Sequence, residues 1–293
     1  MSVRAIVGTE ELWLTDGAPY WLEGFQGLGR APMHVITTRG PEQHGETLLD
    51  FRLDPRVFAL VLGFAADTYS DWQNARDALL RFLTPFGMGL VLEWLLGDGE
   101  TRRLDCMCVE DMDMSSGDRQ GFYQRVAATF RAADPTFYDP TMGAQSFELG
   151  GGGAGFEVPT PVPTAIGGST IDSTHVIAYP GTAPSSPIIR VTGPITNCII
   201  TNLTTGKLLD LTGTTIAAGA YYDIDTRYAH QTVTDNLAVN QIADLTDDSD
   251  LGTFQLAPWP VAASGVNSIR VTGSGVTAAT QVQVSWYNRY LGI

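Results

Sequence analysis

The sequence predicts a mostly β protein in two parts, an N-terminal α+β domain that is β-rich with one main helix and a C-terminal all-β sandwich. Three observations carry this reading. Helical periodicity is convincing once, over residues 70–83. After residue 166 the chain runs as short Thr/Val/Ile-rich segments broken by Gly, Asn, Asp and Pro at intervals of about 8–12 residues, the spacing of a sandwich. Between these regions, DPTMGAQSFELGGGGAGFEVPTPVPTA at 139–165 holds a glycine run and prolines at 159, 161 and 163, the composition of an extended connector. The expected division is a first domain at 1–140, a linker at 141–163 and a second domain at 164–293. A chain of 293 residues is long for one core and comfortable for two.

Residues 1–52 read as strands and turns: ELWLTDG, YWLEGF and GETLLDFRL, interrupted by Asp16-Gly17, Gly24, Gly27, Gly29 and Gly40-Pro41. RVFALVLGF at 56–64 reads as a largely buried strand. The helix follows, with Ser70 and Gln73 in a capping-box arrangement and Trp72, Ala75, Leu79, Phe82 and Leu83 on one face. Thr84-Pro85 and Gly87 stop it. Strands resume at 89–96, 102–110 and 120–132, the first two joined by a GDGE hairpin. In the second domain, alternation is clear at Ile189–Thr192, Asn197–Asn202, Tyr221–Asp225, Ser268–Thr272 and Gln281–Trp286.

The pentapeptide IRVTG occurs twice in that domain, at Ile189–Gly193 and Ile269–Gly273. In each copy Ile and Val fall on one strand face and Arg and Thr on the other, with Gly ending the strand. Ile189, Val191, Ile269 and Val271 are therefore expected between two sheets, and Arg190 and Arg270 on the outer face. The flanking sequences diverge at once, so the two copies express a strand pattern and not a domain repeat.

Composition narrows the function classes. With 44% hydrophobic and 17% charged residues the chain is an ordinary folded protein. Its net charge of −15 is shared by both halves, −10 over 1–150 and −5 over 151–293, which argues against nucleic acid or an anionic membrane as a bound partner. The longest apolar run, GMGLVLEWLLG, is too short to span a bilayer and is interrupted by Glu93. The N-terminus MSVRAIVGTEELW has no secretory pattern, which implies synthesis in the cytoplasm. Cys106, Cys108 and Cys198 have no metal-site or disulfide-framework spacing and read as buried thiols, the first two on one strand face.

No catalytic or cofactor motif assembles. His34, His44, His175 and His230 lie in unrelated segments with no nucleophile elbow around any serine. GGGGAG at 150–155 lacks the Lys-Ser/Thr of a phosphate loop, and GFQGLG at 24–29 leads to Pro32 without a helix. Asp244, Asp247, Asp248 and Asp250 in DLTDDSDLG offer oxygens to Ca²⁺ but lack EF-hand spacing, and read as a solvated loop. Asp223 and Asp225 share a strand face and read as part of a wet sandwich surface. Trp259, Trp286, Tyr287 and Tyr290 could stack on sugar rings, although Trp286 alternates with Val282 and Val284 and is expected in the core. The expectation is no catalytic residue, no cofactor and no metal.

The order of segments carries a resemblance. SDWQNARDALLRFLTPFG, the strand closing in VAATFRAADPTFYDP, then YPGTAPSSPIIRVTGPITNCIITNLTTGKLLDL, AGAYYDIDT, LTDDSDLGTFQLAPW and GVNSIRVTGSG through VQVSWYNRYLGI together resemble the distal tail proteins of long-tailed (siphovirus-type) bacteriophages. The resemblance runs from about residue 20 to the end. It departs near Pro258–Gly265, where a compact turn of that family is replaced by the longer PWPVAASGVN. It implies a galectin-like C-terminal sandwich and a non-enzymatic virion protein: six copies closing into a ring through their N-terminal domains at the end of the tail tube, with the sandwiches projecting outward. The implied partners are the tail tube protein, a tail-tip hub or tail-associated protein, and receptor-binding or accessory proteins. DNA would pass through the lumen unbound, and no membrane is involved. The alternative is a carbohydrate-binding sandwich that contacts the host surface.

Overall fold

The computed structural model describes residues 2–15, 19–84, 89–110, 112, 114, 119–150 and 170–293. Two units emerge, Met1–Pro140 together with Tyr290–Ile293, and Thr141–Arg289. The first contains β1 (Ser2–Val7), β2 (Glu10–Trp13), β3 (Tyr20–Gln26), β4 (Met33–Thr38), β5 (Thr47–Leu53), β6 (Arg56–Ala65), α1 (Tyr69–Leu83), β7 (Leu90–Leu95), β8 (Thr101–Cys108), β9 (Arg119–Gln120), β10 (Tyr123–Ala132) and β11 (Phe137–Tyr138).

Its main sheet runs β2-β1-β7-β8-β10-β6-β3. The helix lays Trp72, Ala75, Leu79, Phe82 and Leu83 into the core, the face that the 3.6-residue period marks. Phe64 of β6 stacks on Trp72 at 5.8 Å, and the buried hydroxyl of Tyr20 donates to the Ala75 carbonyl at 2.7 Å, joining an edge strand to the helix. The cap differs from expectation. Thr68, two residues earlier than Ser70, accepts from the Asp71 amide, and its hydroxyl donates to the Asp71 carboxylate at 2.7 Å. Thr-x-x-Asp and Ser-x-x-Gln both satisfy the capping pattern, and the upstream pair wins because it leaves Tyr69 to start the helix.

Glu93, the interruption in the apolar run, is buried where strand register sets it between two arginines: Arg4 of β1 and Arg103 of β8 stand directly across from it. Their guanidinium Nε atoms donate to its two carboxylate oxygens at 2.5 and 2.6 Å. The expected strand 120–132 is broken into β9 and β10 by a turn at Gly121, whose φ of 64° favours glycine. Among the described residues, strands β4 and β5 pair with each other alone, in a two-stranded hairpin arm.

The second unit contains β12 (Gly143–Glu148), β13 (Thr170–Ala178), β14 (Ile188–Thr192), β15 (Ile195–Asn202), β16 (Lys207–Ile216), β17 (Tyr221–Asp225), β18 (Thr232–Asp235), β19 (Val266–Ser274) and β20 (Gln281–Trp286), after which β21 (Arg289–Tyr290) leads to the C-terminus. Two antiparallel sheets, β12-β20-β14-β17-β18 and β13-β19-β15-β16, enclose one core, so this half is the expected sandwich. The IRVTG copies lie in opposite sheets, on β14 and β19, and all four of their Ile and Val side chains are fully buried. Trp286 is buried with Val282 and Val284, as alternation requires. Gly273 corrects the reading that glycine ends each copy: it lies inside β19, against Ile195, and the strand continues to Ser274. Gly193 does follow β14, and a Cβ there would lie 2.3 Å from the Ala217 carbonyl oxygen.

The expected linker 141–163 opens instead with a strand. Gly143–Glu148 alternates exposed and inward residues, with Phe147 in the core, and pairs along its whole length with β20. The following glycine run masks that short alternation in the sequence. The remainder of the expected linker, 151–163, lies outside the described residues. The expected sandwich range 164–293 is likewise too long at its end, since Tyr290–Ile293 belong to the first unit. Among the described residues no helix is long and apolar enough to cross a membrane.

Candidate functional site

Strand alternation sends half of each strand's side chains to the outer face, and register lines them up in rows. On the five-stranded sheet one row runs Ser146, Gln283, Arg190, Asp223, Thr234 across β12, β20, β14, β17 and β18. The next runs Ala144, Ser285, Ile188, Asp225, Thr232. Between them opens a shallow concavity of about 390 Å³, lined by the four right-hand members of each row and by Met142.

Arg190 is its centre. Its Nε and Nη2 donate in parallel to the two carboxylate oxygens of Asp223, both at 2.7 Å, and its guanidinium lies 4.1 Å from the Tyr221 ring centroid. This two-pronged pairing fixes both side chains, and the bond to Asp223 raises the Arg190 pKa above its ordinary value. Asp225 is neutralised in the same way by Arg227, whose Nη2 donates to it at 2.7 Å. Two carboxylates and two guanidiniums thus cancel, and the hollow offers donors and acceptors without net charge. The matching pair on the other sheet, Arg270 with Asp172, stands in the open: the Asp172 side chain is 58% exposed, against 28% for Asp223.

The histidines do not converge. His34, His44 and His230 are exposed. His175 is half-buried, stacked on Phe147 at 4.3 Å with Ser173 Oγ at 2.9 Å, and burial lowers its pKa. The adjacent acid, Asp172, alternates onto the opposite face of β13 and pairs with Arg270, so it does not orient that imidazole. In the acidic loop, Asp244 accepts from the Tyr222 hydroxyl at 2.7 Å, and Asp250 accepts from Lys207 at 2.9 Å and from the Leu208 amide at 3.1 Å. Asp247 and Asp248 are exposed. Among the described residues no three His, Cys, Asp or Glu side chains are grouped to hold a metal.

The aromatics weighed as a sugar platform do not form one. Trp286 is in the core, Tyr290 is in the first unit, Tyr287 is half-buried, and Trp259 is 71% exposed in the long PWPVAASGVN segment. The three thiols are buried and unpaired; burial raises the pKa of Cys106 and Cys108, and pushes Cys198 up to about 12. In GFQGLG, Gly24 sits in β3, while the carbonyls of Gly27 and Gly29 accept hydrogen bonds from Arg56, which is carbonyl chemistry and not an anion cradle. Residues 151–155 of GGGGAG lie outside the described residues.

The residues that sequence reasoning missed are Thr232, Thr234, Gln283 and Ser285, and with them the concavity. Their signal, polar residues at alternate strand positions, is common to every wet sheet face. In the first unit it also missed the arm. Val35, Leu48, Leu49 and Phe51 on β4 and β5 are all exposed, Leu49 at 61% and Phe51 at 56%, although their run of apolar residues resembles a core strand.

Fold and site together define a two-unit β-rich protein, with an α+β unit followed by a sandwich. The fold is shared with a solved phage protein: the chain is similar to SPP1 Dit (gp 19.1), described as a paradigm of hub adsorption apparatus in Gram-positive infecting phages, at 14% identity and a TM-score of 0.64 over 98% of both chains. A chain of the phage P2 baseplate in its activated conformation with Ca is similar at 10% identity and a TM-score of 0.45, covering 100% of this chain and 99% of that one. No protein-family model and no curated protein matches the sequence.

Proposed function

We propose that this chain is a non-enzymatic structural protein of a bacteriophage virion, the ring-forming hub at the distal end of a tail tube. The observation that carries the proposal is the likeness to SPP1 Dit over the full length of both chains, reached independently of the segment order that suggests the same family. The first unit is the ring-forming part and the sandwich the attachment part. The tail tube protein, a tail-tip hub protein and receptor-binding or accessory proteins are the partners, and synthesis takes place in the host cytoplasm.

Surfaces of the first unit support a ring. A closed ring of identical subunits requires one patch to meet a different patch of the next copy. The main sheet ends in two open edges, β2 and β3, that carry the exposed Trp13 and the exposed Trp21 and Phe25. The β4–β5 arm adds an apolar surface that pairs with no other strand among the described residues. Six copies at −15 each come to −90, a charge that keeps DNA phosphates from sticking as they pass.

Immunogold labelling of virions that encode this chain tests the assignment. Label at the distal tip of the tail supports it. Label on the head, along the tube or on no particle overturns it.

A further inference from the structure

We infer that the hollow on the outer face of the five-stranded sheet binds a neutral saccharide. The inference stands on the geometry of that face and not on the ring, and would hold or fail whatever the oligomeric state.

Charge excludes the other ligand classes first. A phosphate or carboxylate approaching Arg190 meets Asp223 and Asp225, and a cation approaching either acid meets Arg190 or Arg227, so each ionic ligand meets repulsion beside the attraction it gains. Shape argues against a purely apolar ligand, because the hollow is shallow and open and its lining sets hydroxyls, an amide and ion pairs beside the apolar Ile188 and Met142. What remains is a ligand rich in groups that both donate and accept.

The Arg190–Asp223 pair is matched to such a ligand. A guanidinium has five N–H donors, and Asp223 takes two of them, which leaves N–H groups beside carboxylate oxygens that can still accept. Adjacent hydroxyls of one sugar ring meet a donor and an acceptor side by side. Gln283 extends the row on one flank and Thr234 on the other. Ile188 and Met142 supply apolar surface for the C–H face of the ring. The ion pair fixes the polar groups before the ligand arrives, so little side-chain freedom is lost on binding. The volume, about 390 Å³, suits one or two sugar units and lies at the small end of ligand pockets, about 300–1,000 Å³.

The test is saturation-transfer NMR on the full chain with glucose, galactose, rhamnose and N-acetylglucosamine, each titrated to saturation, with glycerol phosphate as the anionic probe. We expect at least one neutral sugar to bind saturably with a Kd of about a millimolar, the range of a shallow single-ring site. Arg190→Ala and Gln283→Ala should each weaken it by about tenfold or more, the loss of one good polar contact. Arg270→Ala, which breaks the corresponding pair on the other sheet, should leave it unchanged, and circular dichroism melting identifies any variant whose fold has failed. Gln283→Ala leaves the ion pair intact, so it reads the site even if Arg190→Ala perturbs the sheet. No saturable neutral sugar, binding of glycerol phosphate in preference, or binding that survives both variants would each overturn the inference.

Discussion

Arg56 and Leu291, 235 positions apart, meet inside the first unit: the Arg56 Nη2 donates to the Leu291 carbonyl at 2.7 Å. The same fully buried guanidinium donates to the carbonyls of Pro135 at 2.8 Å and Gly27 at 2.9 Å and to that of Gly29, and lies 4.6 Å from the Phe137 ring centroid. Burial pulls its pKa down to about 10, so it stays charged at neutral pH. One cation thus ties the start of β6, the Gly27–Gly29 turn and the C-terminal tail together. Arg56→Met should take a donor from each of these carbonyls and lower stability by about 2–4 kcal/mol. Deleting residues 290–293 should act in the same direction. Urea unfolding followed by tryptophan fluorescence measures both, and an unchanged midpoint in either variant would remove the tail from the account.

Gly193 allows the backbone after β14 to pass close to the end of β16, with the Ala217 and Ile216 carbonyl oxygens 2.3 and 2.5 Å from where a Cβ would be. Gly193→Ala should therefore cost about 1–3 kcal/mol of stability, the range of a forced overpacking. Gly99→Ala in the β7–β8 turn meets no atom within 4 Å. It should cost less, through its φ of 88° alone, about 1–2 kcal/mol. Thermal melts of the two variants side by side give the comparison.

Asp235 organises the loop after β18. Its carboxylate accepts from the Gln241 side chain and from the Val239 and Leu237 amides, and these bonds hold its pKa below the ordinary value of 3.8. A lowered folded pKa means that the ionised form is preferred in the folded state. The contribution is present above the unfolded pKa and is lost as pH falls through the folded one. Amide resonances of Leu237 and Val239 should hold steady at mildly acidic pH and shift together only once pH drops below the usual carboxylate range. Movement at or above the ordinary aspartate value would contradict the bonding.

Buried thiols whose pKa is raised are poor nucleophiles. Cys106, Cys108 and Cys198 should all resist a thiol-specific chromogenic reagent at pH 8 in the folded protein and react fully in guanidinium chloride. A fast-reacting thiol in the native state would place one of them at a surface that the fold does not give it.

How far the sequence reveals this structure depends on the range of the interaction concerned. The buried face of α1 and the four buried Ile and Val of the IRVTG copies are legible because one period, 3.6 or 2, decides them within a few residues. The helix cap is missed by two positions, since two overlapping capping patterns compete at Thr68 and Ser70. The row from Ser146 to Thr234 is illegible, because it depends on the register of five strands drawn from most of the second unit. Arg56 reads as any arginine at a strand start, and its four carbonyl partners come from three separate segments. The exposure of the β4–β5 arm is also illegible, for an apolar strand that stays at the surface has the composition of one that enters a core.

That arm supplies a variant that separates assembly from folding. Leu49→Asp and Phe51→Asp place charges on side chains that are already mostly exposed, so the fold should survive with an unchanged far-UV spectrum. Charges facing an apolar neighbour surface should abolish the ring.

Light scattering coupled to size exclusion measures the ring directly, with the purified chain at high concentration and again with its tail tube partner added. Six copies of 31.5 kDa give a species of 189 kDa for the wild type, seen as a closed ring in negative stain, and 31.5 kDa for the arm variants. A wild-type chain that stays at 31.5 kDa under both conditions would contradict the ring.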